Sequence, residues 1–345
     1  MWISAVTAMV VTANAQDTEP GRLYRTREEQ REAGLERQLT PWLSAGGLVE
    51  LEWEQKYRSS PTAAETRRDH GITAQLGLRA TPRKDVTAEA IFEYDSTTGD
   101  LRTDELTLWL DRDPWELVVG QQYLPFGVFY SHFAAGPLLE FGETRATGAE
   151  FSYDLNDRVT LSLSAYYGAA YAVDAGSRGV DWVVAVESWP TDTLSIGASY
   201  ISDLADADER PLADEGNRYA RKVPGLSGYV LWVAADYEIS LEALGATRSF
   251  AELDADRNHP VAWNLEFAYF LASGVEWALR AEGSHELEDA PRRQYGASVT
   301  FRPFHRVAFT LEYLYGRYAG ELATDADDNP YAHVNRFGAQ VSILF

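Results

Sequence analysis

The chain has 345 residues and no cysteine, and its 53 acidic side chains against 30 basic ones give a formal net charge of −23. The absence of cysteine excludes disulfides and thiolate metal sites. The acidic excess disfavours nucleic acid as a partner, because phosphate groups require a basic surface. Ten tryptophans and nineteen tyrosines are a high content of amphipathic aromatic side chains, which is typical of a membrane interface.

The N-terminal residues 1–15 are predicted to be a signal peptide. An apolar run from Trp2 to Val11 precedes the small residues Ala13 and Ala15, which is the pattern of a cleavage site, although no basic residue stands before the run. Residues 16–40 are predicted to be a periplasmic segment rich in Arg and Glu, for which a short helix over residues 28–38 and a flexible tail are both open. No later apolar run is long enough to predict a transmembrane helix.

From residue 41 to residue 345, apolar and polar side chains alternate, as in strands with one apolar face. The alternation predicts sixteen strands, each of about ten residues, the length that a tilted strand needs to cross a bilayer. Short connections alternate with longer, acidic ones, the first of them over residues 58–69, which is the plan of short periplasmic turns and long external loops. The predicted fold is all-β, a transmembrane antiparallel β-barrel in the outer membrane of a Gram-negative bacterium.

The apolar face of each strand is assigned to lipid and the polar face to the lumen. In the tenth strand, we expect Tyr229, Leu231 and Val233 to face lipid, and the strand to run on to Tyr237. The last strand ends on Phe345, which resembles the closing-strand signal that the assembly machinery of outer-membrane proteins reads. The aromatic side chains expected in girdles near strand ends are Trp53, Trp115, Tyr153, Trp182, Tyr200, Tyr237, Trp263, Trp277 and Tyr313.

The connection from Gln121 to Arg145 departs from the alternation. It carries six aromatic side chains, turn residues at Pro125 and Gly127, and few charges, whereas surface loops are usually polar. In sixteen-stranded porins the connection after the fifth strand folds into the pore, and this segment follows the fifth predicted strand. We therefore expect an inward-folded third loop that narrows the lumen.

The loop sequences LPFGVFYSHF and GPLLEFGETR resemble the siderophore porin family typified by the legiobactin importer. The resemblance covers the barrel from about residue 41 onward, and this loop is its most specific part. It implies a porin for passive uptake of small solutes, with a ferric siderophore as one candidate and iron uptake as the process. Iron would stay in its chelate, so no cofactor and no metal site in the protein are expected.

The candidate pore residues belong to the loop and to the inward face of the strands. We expect them to form a charge-separated pore with cation preference, the loop facing the glutamates of strands one, three and four; a plainly polar lumen without tuned charge is the alternative. The constriction residues are Tyr130, His132, Phe133, Glu140, Glu143 and Arg145. The lumen-wall residues are Glu50, Glu52, Glu54, Arg79, Glu89, Glu93, Glu105 and Arg280.

Several alternative functions can be weighed against this interpretation. A general or ion-selective diffusion porin without a siderophore role stays open, although an acidic lumen and only three lysines argue against anions. Adhesion or an enzymatic rim is less favoured, since no local catalytic motif is present, and no enzyme activity is expected. A receptor with an energy-coupling plug is disfavoured, because residues 16–40 are too few to form one.

The remaining motifs and partners complete the prediction. The run from Asp325 to Asn329 suggests a calcium loop but lacks the glycine and the distal glutamate of such loops, so a solvated external loop is favoured. Expected partners are outer-membrane lipid, the barrel assembly machinery and the small solute or ferric siderophore. The assembly state, monomer or homotrimer, and the ion selectivity stay open.

Overall fold

The computed structural model describes residues 37–62, 64–173, 179–271, 273–304, 306–320, 322–327 and 329–345. The expected signal peptide and most of the N-terminal segment lie outside the described residues. A short strand over Arg37–Thr40 pairs with the start of the first barrel strand, so the last residues of the possible helix, Arg37 and Gln38, are extended instead. Among the described residues, no helix is long and apolar enough to span a membrane.

Sixteen long strands form the barrel, as the alternation predicts. Each pairs antiparallel with the next along the chain, and β16 pairs with β1 to close the sheet. The strands are β1 (Leu43–Ser59), β2 (Ala64–Arg83), β3 (Val86–Asp95), β4 (Asp100–Arg112), β5 (Trp115–Tyr123), β6 (Arg145–Asn156), β7 (Val159–Tyr167), β8 (Val180–Thr191), β9 (Leu194–Ile201), β10 (Gly225–Val233), β11 (Tyr237–Ala246), β12 (Val261–Leu271), β13 (Val275–His285), β14 (Arg293–Phe304), β15 (Val307–Arg317) and β16 (His333–Leu344).

The exterior of the barrel is an apolar belt. On β12 the outward side chains of Leu265 and Phe267 are about two-fifths exposed (40% and 39%), whereas the intervening Glu266 is fully buried. Aromatic pairs lie on the same exterior, with ring centroids 5.3 Å apart for Trp182 and Tyr200. An exterior of this kind is stable only against lipid, since water would leave so large an apolar surface exposed.

The first long external loop is shorter than the sequence indicates. Residues 58–69 are mostly strand, because β1 and β2 extend to the pair Ser59 and Ala64, over 17 and 20 residues respectively. These lengths exceed the roughly ten residues that cross a bilayer, so the hairpin projects into water. Its side chains there are polar on both faces, for example Arg68 donating to Gln55 at 3.2 Å. In this projecting part, the sequence no longer alternates between apolar and polar residues, although the hydrogen-bond ladder between β1 and β2 continues.

The tenth strand has the opposite phase to the one predicted. Leu231 is buried on the inner face, and Tyr229 donates from its hydroxyl to inward Glu187 at 3.1 Å, while Val230 and Trp232 face outward. The strand also ends at Val233, so residues 234–236 form the turn and Tyr237 begins β11. The run of five apolar side chains over residues 229–233 hides the period of two, so either phase fits the sequence.

The chain end closes the barrel against β1. Phe345 N donates to Gly47 O at 3.0 Å, and Gly47 N donates to Phe345 O at 2.9 Å. The Phe345 ring lies where a side chain at Gly47 would stand, so the glycine allows the ring to approach the backbone. This contact completes the sheet, and the predicted role of Phe345 as an assembly signal stays a prediction.

An outward charge should destabilise this barrel strongly. Leu265→Arg places a cation near the middle of β12 on the lipid side, where arginine costs about 2–4 kcal/mol. The free energy of unfolding, measured by urea titration in lipid vesicles, should fall by about that amount. The matched control is Glu52→Arg on the inner face of β1, which should change stability little. Equal losses in the two variants would contradict the assigned exterior.

Candidate functional site

The connection between β5 and β6, residues 124–144, folds into the barrel, and we call it the constriction loop. A 3-10 helix over Leu138–Gly142 forms its second half. Phe126 and Leu139 are fully buried and belong to an apolar cluster inside the barrel. The apolar composition that distinguishes this segment in the sequence therefore fills part of the lumen.

The tip of the loop is held by one carboxylate of β11. Glu242 accepts hydrogen bonds from Val128 N at 2.7 Å and Phe129 N at 2.8 Å, and Gly127 N donates to Ser199 at 3.2 Å. Gly127 has a φ of 82° and Phe129 a φ of 54°, a conformation that is uncommon for residues other than glycine. Anchoring two successive N–H groups on one carboxylate stabilises this turn.

A second carboxylate, Glu266 of β12, holds the middle of the loop. It accepts from His132 N at 2.7 Å, from the Ser131 hydroxyl at 3.1 Å and from Arg280 Nε at 2.8 Å. Glu266 and Arg280 are both buried. Removing one member of a buried pair leaves the other charge uncompensated, at a cost of about 3–5 kcal/mol.

Arg280 of β13 also binds the loop directly. Its Nη1 donates to Ala135 O at 2.9 Å and Gly136 O at 3.3 Å, and its guanidinium carbon lies 4.2 Å from the centre of the Phe133 ring. Glu282 lies 3.5 Å from the same guanidinium group. Arg280 therefore joins the barrel wall to the loop through backbone, aromatic ring and charge together.

The side chains of Tyr130 and His132 point into the wall. The Tyr130 hydroxyl donates to Glu238 of β11, and His132 Nδ1 lies 2.7 Å from Glu276 of β13. Arg302 Nη2 donates to the second oxygen of Glu276 at 2.8 Å. Both loop side chains are buried, so their polar atoms contact protein groups instead of the aqueous lumen.

The second half of the loop is also held by hydrogen bonds from its backbone N–H groups to carboxylates of the wall. Ala135 N lies 3.1 Å from a Glu312 oxygen of β15, and Leu138 N donates to Glu282 at 2.8 Å. Backbone N–H groups inside a barrel need acceptors when the loop excludes water, and glutamates at inward positions of the wall supply them. Six buried or inward glutamates contact the loop: Glu238, Glu242, Glu266, Glu276, Glu282 and Glu312.

The tip and middle of the loop therefore pack against different strands from those predicted. The sequence placed its polar side chains opposite strands one, three and four, whereas the contacts of Tyr130, His132 and Phe133 are with β11 to β13. These three side chains anchor the loop. The loop lies on this wall because its buried backbone N–H groups need hydrogen-bond acceptors, and the glutamates of β11 to β15 supply them.

The other constriction residues lie at the end of the loop. Glu140 and Glu143 are half-buried, and Arg145 at the start of β6 pairs with the buried Asp104 of β4. Tyr123 donates to the same Asp104 at 3.1 Å. Arg145 thereby ties the base of the loop to β4, one of the strands that the sequence predicts the constriction residues to face.

The predicted acidic wall divides into an accessible part on β1 and a buried part on β3 and β4. On β1, Glu52 is exposed, and Glu50 and Glu54 are half-buried. This face keeps contact with the aqueous lumen, whereas the glutamates beneath the loop do not. The partners on β16 are Ser342 for Glu50, Gln340 for Glu52 and Arg336 for Glu54.

The predicted lumen-wall glutamates of β3, Glu89 and Glu93, are buried and paired. Arg79 lies 3.3 Å from Glu89, and Arg102 lies 2.5 Å from Glu93. Glu105 is also buried. The two pairs reduce the negative charge that the sequence suggests for this side of the lumen, because Glu89 and Glu93 each face a guanidinium group.

None of the six anchoring glutamates is among the candidate pore residues predicted from the sequence. They are Glu238, Glu242, Glu266, Glu276, Glu282 and Glu312. Their signal is present in the alternation, since each occupies an inward position between apolar outward neighbours. The alternation of apolar and polar residues cannot show which of the inward acids contact the loop.

A second external connection, residues 202–224, packs on the constriction loop. Leu204 and Leu212 are fully buried in the apolar cluster that contains Phe126. Asp208 N donates to Glu143 O at 2.8 Å. Both loops thus form one packed unit over the same side of the lumen.

The structure is similar to solved outer-membrane channels. The DcaP channel of Acinetobacter baumannii matches with a TM-score of 0.59 and 14% identity, over 90% of this chain and 99% of that one. OmpF of Salmonella typhi matches with 0.61 and 10%, over 91% and 99%. OccK11 of Pseudomonas aeruginosa matches with 0.54 and 10%, over 90% and 98%. The fold is that of outer-membrane porins, and with the apolar belt it confirms the predicted location.

Sequence comparison reaches less far. No protein-family model matches the chain. A Coxiella burnetii protein described as a UPF0422 protein is 26% identical in an alignment of 222 positions that covers 59% of this chain and 48% of that protein. The chain thus spans about half the length of this curated relative.

Removing one anchor should loosen the loop. Glu266→Gln removes the nearest carboxylate of Arg280, so that Glu282 at 3.5 Å is its remaining partner, and it offers one acceptor oxygen where two now serve four donors. We expect a loss of about 3 kcal/mol, the lower end of the range for a broken buried pair. Hydrogen exchange of the amides of residues 128–135 should accelerate accordingly. The control Glu52→Gln alters an exposed acid of the same lumen and should leave this exchange unchanged. Equal exchange in both variants would refute the anchoring role.

Proposed function

We propose that the protein is a passive diffusion channel for small hydrophilic solutes across the bacterial outer membrane. The observation that carries this proposal is the one-sided lumen. The constriction loop covers the inner face of β11 to β15, while inward side chains of β16, β1 and β2 stay accessible, Glu52 most of all. A channel needs a continuous polar surface along which water and solute move, and this uncovered face supplies it.

The uncovered face carries an acidic excess. Glu50, Glu52 and Glu54 lie at alternate positions of β1, and Arg336 of β16 compensates one of them. Gln340 and Ser342 offer neutral hydrogen bonds to the others. Rings or rows of carboxylates favour cations in narrow aqueous pores, so we propose a preference for cations over anions.

A narrower proposal is that the channel admits a ferric siderophore. It is supported by the resemblance of residues 124–133 and 136–145 to the siderophore porin family. Most of these residues are buried in the loop core or bound to the wall, Phe126 and Leu139 among them. They bear on how the loop is held, and the solute itself would meet the β16, β1 and β2 face. The general channel proposal does not depend on this step.

Because the chain contains no cysteine, introduced thiols can locate the open path. Glu52→Cys should react with a water-soluble, positively charged thiol reagent in planar bilayers. The single-channel conductance should then fall by roughly a third, and the reversal potential in a salt gradient should move toward anions, since a cation replaces an acid in the path. The buried control Ala278→Cys, beneath the loop, should not react.

The opposite pattern of reactivity would contradict the one-sided lumen. If the reagent modifies Ala278→Cys and leaves the conductance of Glu52→Cys unchanged, the aqueous path lies on the side that the loop was assigned to cover. If the purified protein forms no channel, the diffusion proposal as a whole is wrong.

The siderophore step is tested by solute flux. Proteoliposomes should take up a small, electrically neutral ferric hydroxamate chelate faster than protein-free liposomes, and the same chelate should reduce the single-channel current as it enters the narrowed path. The control solute is a neutral sugar of similar size. Channels that pass the sugar and exclude the chelate would reject the siderophore step while leaving the general channel intact.

A further inference from the structure

Three aspartates meet at the external end of the barrel, outside the pore face. Asp181 begins the inward face of β8, and Asp203 and Asp206 belong to the 3-10 turn that follows β9. All three side chains are at most 4% exposed. One carboxylate oxygen from each lies within 4.8 Å of the other two. Three carboxylates that lie this close together and are shielded from water need compensation by positive charge.

Two of the aspartates have several neighbours. Asp181 Oδ1 accepts from the Ser202 hydroxyl at 2.6 Å and also pairs with Lys222. Asp206 accepts from the Tyr166 hydroxyl at 3.2 Å. The single positive charge of Lys222 against three carboxylates leaves these four side chains with two negative charges.

Asp203 provides an observation independent of the cluster. Its Oδ1 accepts from Ala205 N at 3.2 Å and Val223 N at 3.3 Å. Its Oδ2 is buried and has no hydrogen-bond partner among the described residues, and the side chain is 0% exposed. A buried carboxylate oxygen without a partner is costly, and this one belongs to a group whose other members lie within ligand distance.

We infer that Asp181, Asp203 and Asp206 bind one divalent cation, and that calcium is the ion that fits. A divalent ion cancels the two uncompensated charges. All ligands are oxygens, which hard cations prefer, and Ca²⁺–oxygen distances of about 2.3–2.6 Å allow ligands up to about 5 Å apart around one ion. Mg²⁺, at about 2.0–2.1 Å, would require the carboxylates to move closer.

The position of the site gives the ion a structural task. Asp181 is part of the barrel wall, while Asp203 and Asp206 lie in the connection 202–224 that packs on the constriction loop. A bound ion would tie this connection to β8. The connection would then hold the constriction loop from the external side, as the glutamates hold it from the wall.

Calcium binding can be measured on the folded chain in detergent, refolded without lipopolysaccharide and stripped with a chelator. Calorimetric titration with CaCl₂ should give one site per chain with a Kd on the order of 10⁻⁴–10⁻³ M, the range of extracellular sites. Tb³⁺ alone should show luminescence sensitised by Tyr166, whose hydroxyl contacts Asp206. Asp203→Asn should weaken calcium binding by about tenfold or more, since it removes a charged ligand.

Two further variants keep the inference falsifiable. Asp325→Asn alters an external acid whose carboxylate already accepts from Asp327 N and Asn329 N, both at 2.9 Å, and it should leave binding unchanged. Lys222→Gln removes a competing cation and should bind calcium at least as tightly as the native chain. The inference is overturned if the native chain has no stoichiometric site, if Asp203→Asn binds like the native chain while folded, or if Lys222→Gln abolishes binding.

Discussion

The structure depends on the hydrogen bonds between backbone N–H groups of the constriction loop and carboxylates of the barrel wall. A loop inside a barrel displaces the water that would otherwise satisfy its backbone. Here Glu242, Glu266, Glu282 and Glu312 accept from loop amides. Charged acceptors give stronger hydrogen bonds than neutral ones, so a loop with little regular structure is held in one conformation.

The same hydrogen bonds make the lumen asymmetric. The carboxylates that hold the loop are withdrawn from the aqueous path, and Arg280 neutralises part of their charge from a fully buried position. The acids of β1 keep their contact with water. The net charge of the chain therefore overstates the charge on the open side of the lumen, and the proposed preference for cations rests on the wall that the loop leaves uncovered.

The sequence predicts the strand count, the orientation of most strands and the inward third loop, because lipid imposes a period of two on each crossing segment. It fails for Leu231, inside a continuous apolar run, and for the β1–β2 hairpin, whose ends stand in water. It could not identify Glu266 as an anchor, since this residue lies 134 positions from His132 and many inward positions carry acids. Asp181 and Asp203 lie across the hairpin of β8 and β9, but the alternation does not show that the turn after β9 brings Asp206 to the same place.

The most direct test of the account compares the single-channel conductance of the native chain with that of a variant lacking residues 126–142. Only the fraction shown to be folded by heat-modifiable electrophoretic mobility is used. We expect the conductance to rise by about twofold or more, because the loop covers one side of the lumen. We also expect the preference for cations to be kept, since the deletion exposes the buried glutamates of β11 to β15 that the loop covers. An unchanged conductance would mean that the loop does not narrow the pore.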